Sequence, residues 1–123
     1  MRQRLDEFAP KRTEAALREL NLGLLSSRSF KTVRAGHLDL VPVDIDVSPF
    51  DNSGSHKQGV SLTYKKHDGF APIFAYVGAQ GYMLEHEFRP GKQHCQDQTP
   101  EFIDRCVASL GKLGLNGRCL LRL

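Results

Sequence analysis

Residues 41–48 alternate strictly: Val41, Val43, Ile45 and Val47 fall on one side of a strand, and Asp44, Asp46 and Ser48 on the other. Pro42 has no amide hydrogen to give to a sheet ladder, so this strand is expected to begin at about Val43. Two apolar runs, PIFAYVG and GYMLEHEFRPG, flank Gly78-Ala79-Gln80-Gly81 and predict a hairpin, closed by Arg89-Pro90-Gly91. A helical period appears elsewhere. Residues 13–25 predict a helix with Thr13 as its N-cap, with Gly23 interrupting it and Leu17, Leu20 and Leu24 on one stripe; a shorter helix is expected over 2–9. Thr99-Pro100 starts a further helix that should reach about Lys112, with Thr99 as N-cap and Pro100 at the first helical position. Its apolar face is Phe102, Ile103, Cys106, Val107, Leu110 and Leu113, and Gly111 and Gly114 supply the stop. GRCLLRL reads as a last strand.

Between Pro49 and Gly69 the pattern lapses into Asp, Asn, Ser, Gly, His and Lys. A connection this long in a compact domain is usually functional or disordered. Within it, Val60, Leu62 and Tyr64 alternate with polar residues and predict a short strand. Asp51 is expected to form a turn by bonding its own backbone. Tyr64, Tyr76 and Tyr82 are expected in core or hairpin packing.

With 123 residues, 40% of them hydrophobic, the chain suits one small domain. It has no long apolar run and no apolar stretch behind MRQRLDEF, which predicts a soluble, cytoplasmic protein that does not enter a membrane. Cys95, Cys106 and Cys119 form no CxxC pair, so reduced thiols are expected; His94-Cys95 has no second pair at ligand spacing and reads as a turn. The net charge of +3 is unevenly spread: residues 1–36 hold eight Lys or Arg against four Asp or Glu, and residues 37–123 hold nine against ten. The N-terminal excess suits phosphates or a solvated helical face.

The predicted order is strand, long connection, strand, strand, helix, strand, behind a basic helical arm. It describes an α+β or α/β chain: a truncated ribonuclease H-like fold with a three-stranded meander, a crossover helix and a fourth strand parallel to the first. The stretch VDIDVSPFDNSGSHKQGVSLTYKKHDGFAPIFAYVGAQGYMLEHEFRPGKQHCQDQTPEF, from Val43 to Phe102, resembles the DDE transposases of bacterial insertion sequences, in the group known as transposase DDE domain group 1. RQRLDEFA and GRCLLRL resemble that family's flanking segments. The resemblance implies two parts, a basic helical arm over 1–36 with possible DNA contact and the first half of the catalytic domain over 37–123.

It further implies DNA transposition through cleavage and joining of transposon ends, with two Mg²⁺ ions held by two aspartates and a glutamate, and a possible homodimer of the complete protein. The family's first catalytic aspartate falls on Asp46, with Asp44 a lesser candidate for the metal. A carboxylate ending a buried strand needs a positive partner, and a metal ion would serve. Asp44 and Asp46, with Cβ atoms roughly 6.6–7 Å apart along one strand, cannot build a two-ion cage alone. Asp44 is also suited to orienting Asp46 or pairing with a base such as Arg122. The family's second aspartate would follow GRCLLRL directly and its glutamate much later, so the 123 residues are expected to be inactive alone.

Candidate phosphate contacts are Arg2, Arg4, Lys11 and Arg12 in the arm, Lys57, Lys65, Lys66 and His67 in the long connection, and Arg89, Lys92 and His94 after the hairpin. Two other readings remain: a non-enzymatic DNA-binding module acting through the arm, and an inert remnant whose sheet exposes an unpaired edge.

Overall fold

The strand foreseen from Val43 begins earlier, at Leu38, and passes straight through Pro42. In this computed structural model the backbone is described from Pro10 to Leu123 and the side chains from Arg12 onward. The helix expected over 2–9 lies outside those residues. The elements are α1 (Pro10–Ser26), β1 (Val33–Ala35), β2 (Leu38–Val47), β3 (Phe50–Asp51), β4 (Ser61–Leu62), β5 (Asp68–Phe70), β6 (Ile73–Val77), β7 (Tyr82–Glu87), α2 (Thr99–Lys112) and β8 (Cys119–Arg122). No helix among the described residues is long and apolar enough to cross a membrane.

β2 is the organising strand of a mixed, mainly antiparallel sheet. β1 pairs antiparallel with its first residues, and β6 pairs antiparallel with residues 43–47. β8 lies parallel to it from Val41↔Cys119 to Asp44↔Arg122, on the edge opposite β6, after the crossover through α2. β7 completes the β6 hairpin, with a register irregularity between Ala75 and Tyr76. Pro42 is tolerated because its missing amide falls opposite Gly78. The Pro42 carbonyl accepts the Gly78 amide at 2.9 Å, and the Gly78 carbonyl is already taken by the Gly81 amide of the hairpin turn.

The alternation of β2 places Val41, Val43 and Ile45 in the core, with Ile73, Ala75, Val77 and Leu84 from the hairpin. α2 covers this face with Phe102, Cys106 and Leu110, whereas Val107, expected on the same face, is exposed. Its start also differs from the expected cap. Gln98 occupies the cap position with φ 57, and the Thr99 hydroxyl instead donates to the Cys95 carbonyl at 2.5 Å. Gly114, with φ 72, supplies the expected stop, while Gly111 lies inside the helix.

α1 begins before Thr13 and buries Leu22 and Leu25, leaving Leu17, Leu20 and Leu24 exposed. Polar residues fix that rotation. Arg18 Nε donates to Glu85 Oε2 at 2.9 Å, and Asn21 Nδ2 donates to the Met83 carbonyl at 3.0 Å on β7. Glu85 is buried, and Ser109 Oγ donates to its second oxygen at 2.6 Å, so one carboxylate joins α1, β7 and α2.

The long connection is not structureless. β3, β5 and β4 form a small second sheet in that order. Asp51 makes the expected turn, accepting the Ser53 amide at 2.9 Å, and the predicted short strand is present as Ser61–Leu62.

Candidate nucleic-acid and metal site

β2 ends beside two pieces of irregular chain, and the three together enclose an open cleft of about 770 Å³. Ile45, Asp46 and Val47 form its floor. One wall is the turn from Thr63 to His67 after β4, and the other is the segment 91–96. The walls are tied together: the Lys92 amide donates to Ser61 Oγ at 2.8 Å, and the Gly91 amide donates to the Gly59 carbonyl at 3.4 Å. Gly91 is required by this approach, since a Cβ there would stand 2.1 Å from the Ser61 carbonyl oxygen and 2.4 Å from that of Gly69.

Four of the residues singled out in the sequence meet here: Asp46, Lys66, Lys92 and His94. Asp46 is exposed at the strand end, with Ser48 Oγ 3.4 Å from Oδ2. Lys66 is presented by a tight turn in which its own amide donates to the Thr63 carbonyl at 3.0 Å and the Thr63 amide donates to the His67 carbonyl at 2.9 Å. Its φ of 65 is in the left-handed region. His94 Nδ1 accepts the Gln96 amide at 3.3 Å, and His94 and Cys95 sit exposed in a turn.

The other candidates lie elsewhere. Asp44 is held by Arg122 through two hydrogen bonds, Nε to Oδ1 at 2.5 Å and Nη2 to Oδ2 at 2.7 Å, the pairing foreseen for it. Lys57 and Lys65 are exposed but do not line the cleft, and Arg12 is exposed on α1. Arg2, Arg4 and the side chain of Lys11 lie outside the described residues.

Arg89 requires a correction. Expected to contact phosphate, it is 2% exposed. Its Nε donates to Glu87 Oε1 at 2.6 Å, Nη1 to Thr99 Oγ1 at 3.1 Å and Nη2 to the Gln98 carbonyl at 3.2 Å, while the guanidinium lies 5.9 Å from the Phe102 ring centroid. No face is left for a ligand. Arg105 bonds the other oxygen of Glu87. Burial alone would raise the Glu87 carboxyl, but the hydrogen bonds and charges of Arg89 and Arg105 outweigh it and hold the group below its ordinary value of 4.5. This cluster fixes the start of α2, and with it the wall that carries Lys92 and His94. Glu87 ends β7 and Arg89 follows two residues later; Thr99, Gln98 and Phe102 join them only through the tertiary fold.

Tyr64 is the second correction. Tyr82 packs against the core edge-on to Phe30, but Tyr64 is 61% exposed at the cleft.

Mg²⁺ asks for octahedral oxygen ligation and is commonly held by one or two carboxylates, with water and substrate phosphates completing the shell. Among the described residues no three His, Cys, Asp or Glu side chains converge. Asp44 is engaged by Arg122, whereas Asp46, which lines the cleft, has no ion pair among the described residues. These residues can contribute one protein ligand to an ion completed by a substrate; they do not build a two-ion cage. No family model, curated protein or solved structure matches the chain.

Proposed function

We propose that the chain is part of a DNA transposase of the DDE type, acting in the bacterial cytoplasm on transposon ends, with Asp46 as one ligand of a catalytic Mg²⁺. The carrying observation is the placement of Asp46 at the end of the central strand, in a cleft whose walls bring Lys66, Lys92 and His94 around it. A carboxylate can ligate a metal ion, and the ammonium groups of Lys66 and Lys92 can meet the phosphates of a nucleic-acid strand. The strand order adds support: an antiparallel hairpin beside β2, a helical crossover and a parallel β8 on the other edge are the pieces that the first half of a ribonuclease H-like fold would need. Lys66 and Lys92 would hold the DNA backbone, Asp46 would hold the ion, and Arg89 would keep the Lys92 wall in place.

One available carboxylate is too few for metal-dependent strand cleavage. The 123-residue chain is therefore expected to bind DNA and leave a supercoiled plasmid intact in Mg²⁺ or Mn²⁺. Mg²⁺ should tighten DNA binding by wild type and not by Asp46→Asn. Mg²⁺-dependent nicking abolished by Asp46→Ala would contradict the incomplete-site account, and equal Mg²⁺ response in the two proteins would remove Asp46 as a ligand.

A second reading, a non-enzymatic DNA-binding module, is favoured by the positive excess of residues 1–36 and by exposed Arg12. It places the binding energy in the arm, independent of Lys66, Lys92 and Asp46.

A further inference from the structure

Tyr64 occupies the exposed side of a turn that is itself firmly held. Thr63 is 2% exposed and its hydroxyl donates to the His67 carbonyl at 2.9 Å, which closes the turn beneath the tyrosine. The Tyr64 hydroxyl makes a long hydrogen bond, 3.5 Å, to the Val47 carbonyl at the end of β2. The ring is thus tethered next to Asp46 with most of its surface in solvent. Leu62, on the same wall, is also exposed.

An exposed aromatic ring and leucine beside two lysines make a mixed surface. A DNA duplex presents phosphates and sugars to such a cleft while its base faces are stacked inside, so the lysines would find partners and the ring would not. An unpaired strand offers both. Its phosphates are free to meet Lys66 and Lys92, and any of its bases has a face that can stack on tyrosine without regard to sequence. The cleft volume of about 770 Å³ lies within the range of about 300–1,000 Å³ typical of small-ligand sites, room enough for one nucleotide. With no cation bound, the Asp46 carboxylate repels phosphate at the floor, so the backbone would follow the lysine side and leave the base for Tyr64.

We infer that this cleft takes an unpaired DNA strand, one base of which stacks on Tyr64 while Lys66 and Lys92 hold its phosphates. The inference rests on the DNA-binding reading above and narrows it to one form of DNA at one wall of the cleft.

Fluorescence anisotropy with a labelled single-stranded oligonucleotide, the same sequence as a blunt duplex, and its RNA counterpart tests it. Wild type is expected to bind the DNA single strand more tightly than the duplex. Tyr64→Ala should weaken single-strand binding by about 5- to 150-fold, the equivalent of about 1–3 kcal/mol of stacking per base. Tyr64→Phe should keep the affinity, since it keeps the ring. Single-strand affinity unchanged in Tyr64→Ala, a preference for duplex, or a preference for RNA would overturn the inference. Tight duplex binding that depends on Lys66 and Lys92 but ignores Tyr64 would overturn it and leave the broader reading standing. No binding to any of the oligonucleotides would overturn both.

Discussion

Lys66 combines a charge at the cleft with a backbone conformation that side-chain-bearing residues rarely adopt. Its φ of 65 costs an L-residue roughly 1–2 kcal/mol, a cost glycine escapes. Glycine returns part of that gain as unfolded-state entropy. Lys66→Gly is therefore expected to stabilise the protein by roughly 0.5–1 kcal/mol in thermal unfolding while weakening DNA binding. A loss of stability would mean that the lysine side chain supports the turn and is not held there for a ligand. At this scale the sequence was readable where chemistry is local. The Asp51 turn follows from an aspartate before Asn-Ser-Gly, and the Asp44–Arg122 pair from two opposite charges at matching positions on parallel strands. Burial of Arg89 and exposure of Tyr64 were not readable, because each depends on which distant segment arrives beside it.

The clamp made by Glu87, Arg89 and Arg105 shows how elements are held in register around the cleft. Arg89→Ala would leave Glu87 with Arg105 alone and release Thr99 and Gln98, a loss of about 1–3 kcal/mol that a lower urea midpoint would report. Because the folded protein holds Glu87 below its ordinary value of 4.5, its stabilisation is complete above about 4.5 and is lost as pH falls through the lower folded value. Glu87→Gln should thus be less stable than wild type at neutral pH by about 1–3 kcal/mol. That gap should narrow as urea midpoints are followed below pH 4.5; a gap independent of pH would show that Glu87 acts through shape and not charge. The periods of two and near 3.6 located β2, the hairpin, α2 and β8. Alternation also pointed to β4, but it did not locate β3 and β5, whose two or three residues are too short to carry a period and which complete the small sheet by pairing with one another and with β4.

Across the whole molecule, topology does what local pattern could not. The crossover through α2 lays β8 along β2, an arrangement the element order foretold, and the small sheet and the segment after β7 close over the end of β2. Asp46 was recognisable as a carboxylate near the end of a strand whose other face is apolar. Its setting was not: Lys66 and Lys92 lie far apart in sequence, and the ties of Gly91 and Lys92 to the β4 region bring them to the same cleft.

The central claim, that this cleft is the DNA surface, is tested most directly by the salt dependence of DNA affinity. Each phosphate contact on a single strand contributes a slope of about −0.7 in log K against log salt. Lys66→Gln with Lys92→Gln is expected to make the slope shallower by about 1.4, while Arg12→Gln leaves it nearly unchanged. A slope unaltered by the two cleft substitutions and reduced by neutralising Arg12 would contradict the account and move the DNA to the basic arm.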